Sequence, residues 1–244
     1  MKKIFRTVVT IGLFMTLCVS GVFAFDTAAA SEDTVYHSSV SSAGAALRDQ
    51  MEQRSSTISI SYKTTDNITT QEAFSALTDG ILEEALSHTG VPTEGDYLAW
   101  IWYDGKYTLS YEGVQGDIDL TLNYTFNYTT TAEEEAEMDR AVKALLDELD
   151  LGRRSDYEKI KAIYYICTNV VWDSDHYDDI STQSAYAALV KGSAAHLGFA
   201  PLMYRLALEL GVDCRVISGK LEYQGASLTH LWNIVKLNGK KSTN

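Results

Sequence analysis

SAYAALVKGSAAHLGFAPLMYRLALELGVDCRVISG, residues Ser184–Gly219, is the stretch on which the reading of the chain turns. Phe199, Leu202, Met203, Leu206, Ala207 and Leu210 recur at the three- and four-residue spacing of a helix with one buried face. Gly211 closes that helix, and Val212–Gly219 reads as a strand. If the helix begins near Ala195, Pro201 lies inside it and costs about 3 kcal/mol; a later start removes that cost.

Upstream, Ser155 or Asp156 caps a helix whose expected buried stripe is Ile160, Ile163, Tyr164, Cys167 and Val171. Before it, Thr131 caps a helix with an acidic first turn, Glu133-Glu134-Glu135, and a stripe of Met138, Ala141, Val142, Leu145, Leu146 and Leu149. An irregular acidic loop covers 173–180. Downstream, His230–Leu237 reads as a strand ending at Asn238-Gly239.

The first half has a different rhythm. Ile58, Ile60 and Tyr62 alternate with polar residues, and Ile118–Tyr128 alternates over its whole length, so both are strands with one packed and one wet face. A helix between them carries Phe74, Leu77, Ile81, Leu82, Ala85 and Leu86, stopped by Gly90 and Pro92. Tyr97–Tyr103 and Tyr107–Tyr111 read as two strands joined by an Asp104-Gly105 hairpin. Residues 57–130 are thus expected to form an α+β accessory module, an antiparallel sheet plus helix. Residues 25–56, rich in Ser and Ala, read as a linker or weak helix. Residues 1–24 have the basic start, apolar run and Val22-Phe23-Ala24 end of a signal peptide, which implies a secreted or cell-surface protein.

Among 244 residues, 20 are Lys or Arg and 33 are Asp or Glu, a net charge of −13. That balance disfavours nucleic acid and, after leader cleavage, a membrane surface as partners. Cys167 and Cys214, the two cysteines beyond the leader, both sit on apolar periodic positions and read as buried free thiols.

Three stretches together resemble the transglutaminase-like core, a papain-related fold: YEKIKAIYYICTNVVWD (157–173), the quoted 184–219, and HLWNIVKLNG (230–239). The resemblance is to exported Firmicute-type bacterial members and extends through the first half. It implies that residues 131–244 form an α+β papain-like core. It also implies catalysis by a cysteine thiolate at a helix N-terminus, a histidine general base and an orienting Asp. The family pattern, roughly Gly-x-x-x-Cys-x-Gly-aromatic-small, stands here as Gly192-Ser193-Ala194-Ala195-His196-Leu197-Gly198-Phe199-Ala200. His196 thus occupies the nucleophile position. His230, followed by Leu231-Trp232-Asn233, matches the general base, and Ser193 reads as a helix cap.

No Asp or Glu follows His230, so the core is expected to be truncated and to lack its last strands. The expected function is that of a pseudoenzyme: a catalytically inactive extracellular binding or scaffold module, or a degenerate gene product. Its partner would be an extracellular protein or peptide, or a cell-wall component. The alternative is residual acyl-transferase or peptide-hydrolase activity through His230 and an unrecognised nucleophile or metal. His196, His230 and His176 of the acidic loop are the candidate ligands in that case, but they lack metal-site spacing, so neither metal nor cofactor is expected. Trp100, Trp102, Tyr103, Tyr107 and Tyr111 could form an aromatic platform, with at least half of them in the core.

Overall fold

Alternating apolar residues build the first sheet. In the computed structural model, which describes residues 34–237 apart from 67, 69, 115, 177, 224 and 225, the first half runs through seven elements. These are β1 (Tyr36–His37), α1 (Val40–Glu52), β2 (Thr57–Thr64), α2 (Gln71–Ala85), α3 (Asp96–Ala99), β3 (Trp102–Val114) and β4 (Asp117–Tyr128). The strand order is β1-β2-β4-β3, with β1 parallel to β2 and the other pairs antiparallel. Ile58, Ile60 and Tyr62 of β2 and Ile118, Leu120, Leu122, Tyr124 and Phe126 of β4 all point into the core. The period of two therefore reads through to packing. The expected leader and the chain beyond Leu237 lie outside the described residues.

Two helices cover this sheet. Ser39 and Thr70 cap α1 and α2 by accepting hydrogen bonds from the amides of Ser42 and Ala73. Within the stretch expected to be a linker or weak helix, α1 is a well-packed helix whose Ala43, Leu47 and Met51 are fully buried. Gly44 lets α1 approach α2, because a Cβ there would lie 2.5 Å from Glu84 Cγ.

The reading of 97–111 as a hairpin is corrected. Residues 96–99 are helical, and Tyr97, Leu98 and Ile101 are buried at helical spacing. β3 passes straight through Asp104-Gly105, with a bulge between Trp102 and Asp104. Here glycine serves close packing rather than a turn: a Cβ at Gly105 would stand 3.1 Å from the Trp102 ring and 3.2 Å from Phe126. The aromatic residues do not form one platform. Trp102 packs edge-on against Phe126, Tyr107 lies against Tyr124, and Tyr111 stacks on Phe74.

The second half contains α4 (Ala132–Leu149), α5 (Asp156–Asn169), β5 (Val171–Trp172), β6 (Ser193–Ala194), α6 (Phe199–Glu209), β7 (Cys214–Tyr223) and β8 (Ala226–Val235). Thr131 with Glu134, and Ser155 with Glu158, form full capping boxes at α4 and α5. On α5 the buried residues are Ile163 and Cys167, whereas Tyr164 and Val171 are more than half exposed. The buried stripe is therefore narrower than expected. Short β5 pairs in parallel with β6, and β7 pairs antiparallel with β8. The molecule is α+β. No helix among the described residues is long and apolar enough to cross a membrane.

Buried polar contacts stitch the halves together. Asp96 of α3 accepts from Arg215 Nε at 2.7 Å, Arg215 Nη2 at 2.9 Å and the Val216 amide at 2.7 Å. Tyr204 of α6 donates to the Glu94 carbonyl at 3.2 Å, with His88 Nδ1 3.1 Å from its hydroxyl. Buried Arg205 reaches Asp139 at 2.6 Å and Glu209 at 3.0 Å while lying over the Tyr97 ring. Placing site-bearing α6 against α3 thus depends on first-half residues.

Candidate active site

His196 opens a 3₁₀ turn, His196–Gly198, that runs directly into α6. Three hydrogen bonds fix the approach: the Ala195 amide to the Thr182 carbonyl at 2.9 Å, the Leu197 amide to Gln183 Oε1 at 3.2 Å, and the Gly198 amide to the Ala195 carbonyl at 3.1 Å. Gly198 is required by contact, since a Cβ would meet the Ser184 carbonyl oxygen at 2.6 Å and Ala194 Cβ at 2.9 Å. The aromatic residue after it, Phe199, stacks on Trp172 with ring centres 5.9 Å apart.

Because α6 begins at Phe199, Pro201 is its third residue. The first four amides of a helix have no intrahelical acceptor, so proline breaks no bond there and the expected 3 kcal/mol cost does not arise. Ser193 does not cap α6. It lies in β6 paired with Val171, and the cap position is Gly198.

β8 brings His230 to the same place. Asn233 Nδ2 donates to the Ala200 carbonyl at 2.9 Å and lies 3.6 Å from Cys214 Sγ, holding β8 on the first turn of α6. The His230 ring sits edge-on to Trp232 at 4.9 Å. Between α5, α6 and β8 opens a cleft of about 420 Å³. Tyr164, Val170, Trp172, Phe199, Met203 and Leu231 give it aromatic and apolar walls; His196, His230, Thr168 and Asn233 are its polar side chains. No carboxylate lines it among the described residues.

Burial, and then the charge of His230, hold the His196 imidazole below its ordinary value of 6.5, so the neutral ring is favoured. The cleft wall also contains Cys167, which the sequence reading set aside as structural. Its presence follows from spacing: Tyr164, Cys167 and Thr168 lie at i, i+3 and i+4 and share the side of α5 turned to the cleft. Burial pushes the Cys167 thiol up to about 12 and the Cys214 thiol to about 11. Both are free and buried. The acidic loop closes on itself instead, with Asp173 accepting from the His176 amide at 3.0 Å and lying 3.1 Å from its Nδ1. His176 is not in the cleft wall. Among the described residues no group of three or more His, Cys, Asp or Glu side chains is placed to hold a metal ion.

Residues 143–241 match the family model of the Transglutaminase-like superfamily. The matched span contains α5, α6, β7, β8 and both cleft histidines, so the likeness to that family falls on the second half. A solved structure described as "Crystal structure of a TGase" is similar to the chain at 14% identity with a TM-score of 0.38, covering 70% of this chain and 56% of that one. The chain therefore spans little more than half the length of that protein. No curated protein matches it.

Proposed function

We propose that this is an exported, catalytically silent transglutaminase-like protein whose two-histidine cleft binds an extracellular peptide or protein segment. The observation that carries the reading is that an imidazole, His196, stands at the head of α6, where the sequence motif of the family has cysteine. Acyl transfer in that family needs a thiolate, and an imidazole there does not form the thioester. The native thiols do not supply one readily, since values of about 12 and about 11 keep Cys167 and Cys214 protonated at neutral pH. The walls suit an apolar or aromatic side chain, and the imidazoles offer hydrogen bonds to its backbone. Export is supported by the leader-like composition of residues 1–24.

The test pairs two measurements on the full chain: amine incorporation into a glutamine-containing peptide, and binding of a peptide panel followed through Trp172 fluorescence. We expect no incorporation and saturable binding that is weakened by Phe199→Ala. Incorporation that disappears in His230→Ala overturns the reading.

A second reading is favoured by the position of Cys167. Its thiol shares the cleft with His196 and His230, so residual acyl transfer or peptide hydrolysis would run through Cys167 with an imidazole as base. That reading predicts activity lost in Cys167→Ser and unaffected by chelators. A metal-assisted version predicts the reverse on both counts.

A further inference from the structure

We propose that β3 is a self-pairing edge through which two copies of this chain associate, joining their four-stranded sheets into one of eight strands. β3 is the last strand of its sheet, and no strand lies beyond it among the described residues. Monomers commonly guard such edges by shortness, proline, bulges or charged side chains, and of these β3 carries chiefly charges, Asp104, Lys106 and Glu112. β3 has thirteen residues, contains no proline, and is bulged only at its start, between Trp102 and Asp104. From Asp104 to Val114 its register with β4 is unbroken.

The midpoint of that unbroken run is Leu109. An antiparallel pairing centred there gives the longest overlap of the strand with its own copy. It sets Thr108 opposite Ser110, Tyr107 opposite Tyr111, Gly105 opposite Gly113, and Lys106 opposite Glu112 twice, once on each side of the two-fold axis. Residues 104, 106, 108, 110 and 112 lie on the exposed face, so both charge pairs form at the surface. Neighbouring registers are worse. Centred on Thr108, Asp104 meets Glu112, a like-charge pair; centred on Ser110, both Lys106 and Glu112 face uncharged residues.

The charge pattern within one sheet points to the same occupant. Directly opposed across three strands stand Lys63 of β2, Asp119 of β4 and Glu112 of β3. Lys63 reaches Asp119 at 3.3 Å, but Asp119 and Glu112 are adjacent carboxylates, and the row ends on a negative charge at the open edge. Like charges directly opposite one another destabilise a sheet. Lys106 of a second copy continues the row with the sign it lacks. Among the described residues neither Lys106 nor Glu112 forms an ion pair.

Sedimentation velocity of the full chain over a range of concentrations tests this. The native chain should show a reversible monomer–dimer equilibrium. Lys106→Glu and Glu112→Lys each turn two attractive cross-strand pairs into repulsive ones and should raise the dimer Kd about 30-fold. An equimolar mixture of the two variants should recover dimers, because each position then faces the opposite sign. The double variant Lys106→Glu/Glu112→Lys should recover them within one chain. Both residues are exposed, and circular dichroism should report native folding in every variant. A native chain that stays monomeric to millimolar concentration overturns the proposal. So do dimers that survive both single substitutions, or a mixture that fails to recover them.

Discussion

Replacing His196 with cysteine tests whether the head of α6 is the open, thiol-activating position that its sequence frame suggests. Two opposed effects set the acidity of a thiol introduced there. Burial, which depresses the His196 imidazole, raises a thiol, because both shifts disfavour the charged form. The positive end of α6 lowers it by about 0.3–1 kcal/mol, equal to about 0.2–0.7 pK units. The two effects oppose one another, so the introduced thiol stays close to an ordinary cysteine and far below both native thiols. At pH 8 an ordinary cysteine is about one quarter thiolate, against about one part in a thousand for Cys214 at about 11 and one in ten thousand for Cys167 at about 12. A thiolate of higher pKa is intrinsically more nucleophilic, which returns about a factor of ten to the native thiols. His196→Cys should therefore be alkylated by iodoacetamide roughly ten- to fiftyfold faster than Cys214 at pH 8. Peptide mapping by mass spectrometry over a pH series measures this. Equal rates at all three thiols, or an inflection above about pH 10 for the introduced one, would refute the argument that position 196 faces an accessible cleft at a helix head.

Three further outcomes follow from the geometry. Asp96→Ala removes the acceptor of the buried Val216 amide and of Arg215, and should lower stability by about 2–4 kcal/mol in urea titration; Asp96→Asn, which keeps an acceptor oxygen, should cost about 1 kcal/mol. A loss under about 0.5 kcal/mol for the alanine variant contradicts that accounting. The unfolded chain binds a proton at position 196 more readily than the folded one, so stability present above pH 6.5 falls as pH drops through the lowered folded value. His196→Gln should make stability less sensitive to acid as the pH falls below about 7.5, and an unchanged pH profile counts against the buried, neutral ring. Pro201→Ala should destabilise by at most about 1 kcal/mol, through added freedom of the unfolded chain; a gain near 3 kcal/mol would place the proline inside the helix after all.

What was legible in the sequence is what local chemistry decides. The capping boxes at Thr131 and Ser155, the alternation of β2 and β4, and the span of α6 depend on neighbours within a few residues, and all are present in the fold. Asp104-Gly105 misled because its local meaning is a turn, while the structure uses the glycine for clearance between Trp102 and Phe126, the latter on another strand. Tyr164 misled in the opposite direction: its spacing fits the buried stripe, but its side of α5 borders an open cleft. The site is legible only in part. The frame around His196 and the strand bearing His230 can be read off as patterns. Asp96 with Arg215 joins positions 119 residues apart, and Cys167 in the cleft wall depends on how α5 meets α6 and β8. No periodicity encodes either.

The bond set around Asp96, Glu94 and Tyr204 has a practical consequence for anyone trimming the gene. A shortened version that starts at Thr131 keeps every residue matched to the family, yet it strips the carboxylate from Arg215, the acceptor from the Val216 amide and the carbonyl from the Tyr204 hydroxyl. Two buried groups, the Val216 amide and the Tyr204 hydroxyl, would then lose these acceptors, the second on the very helix whose first turn forms the cleft. Studies of that cleft are therefore best done on the uncut polypeptide.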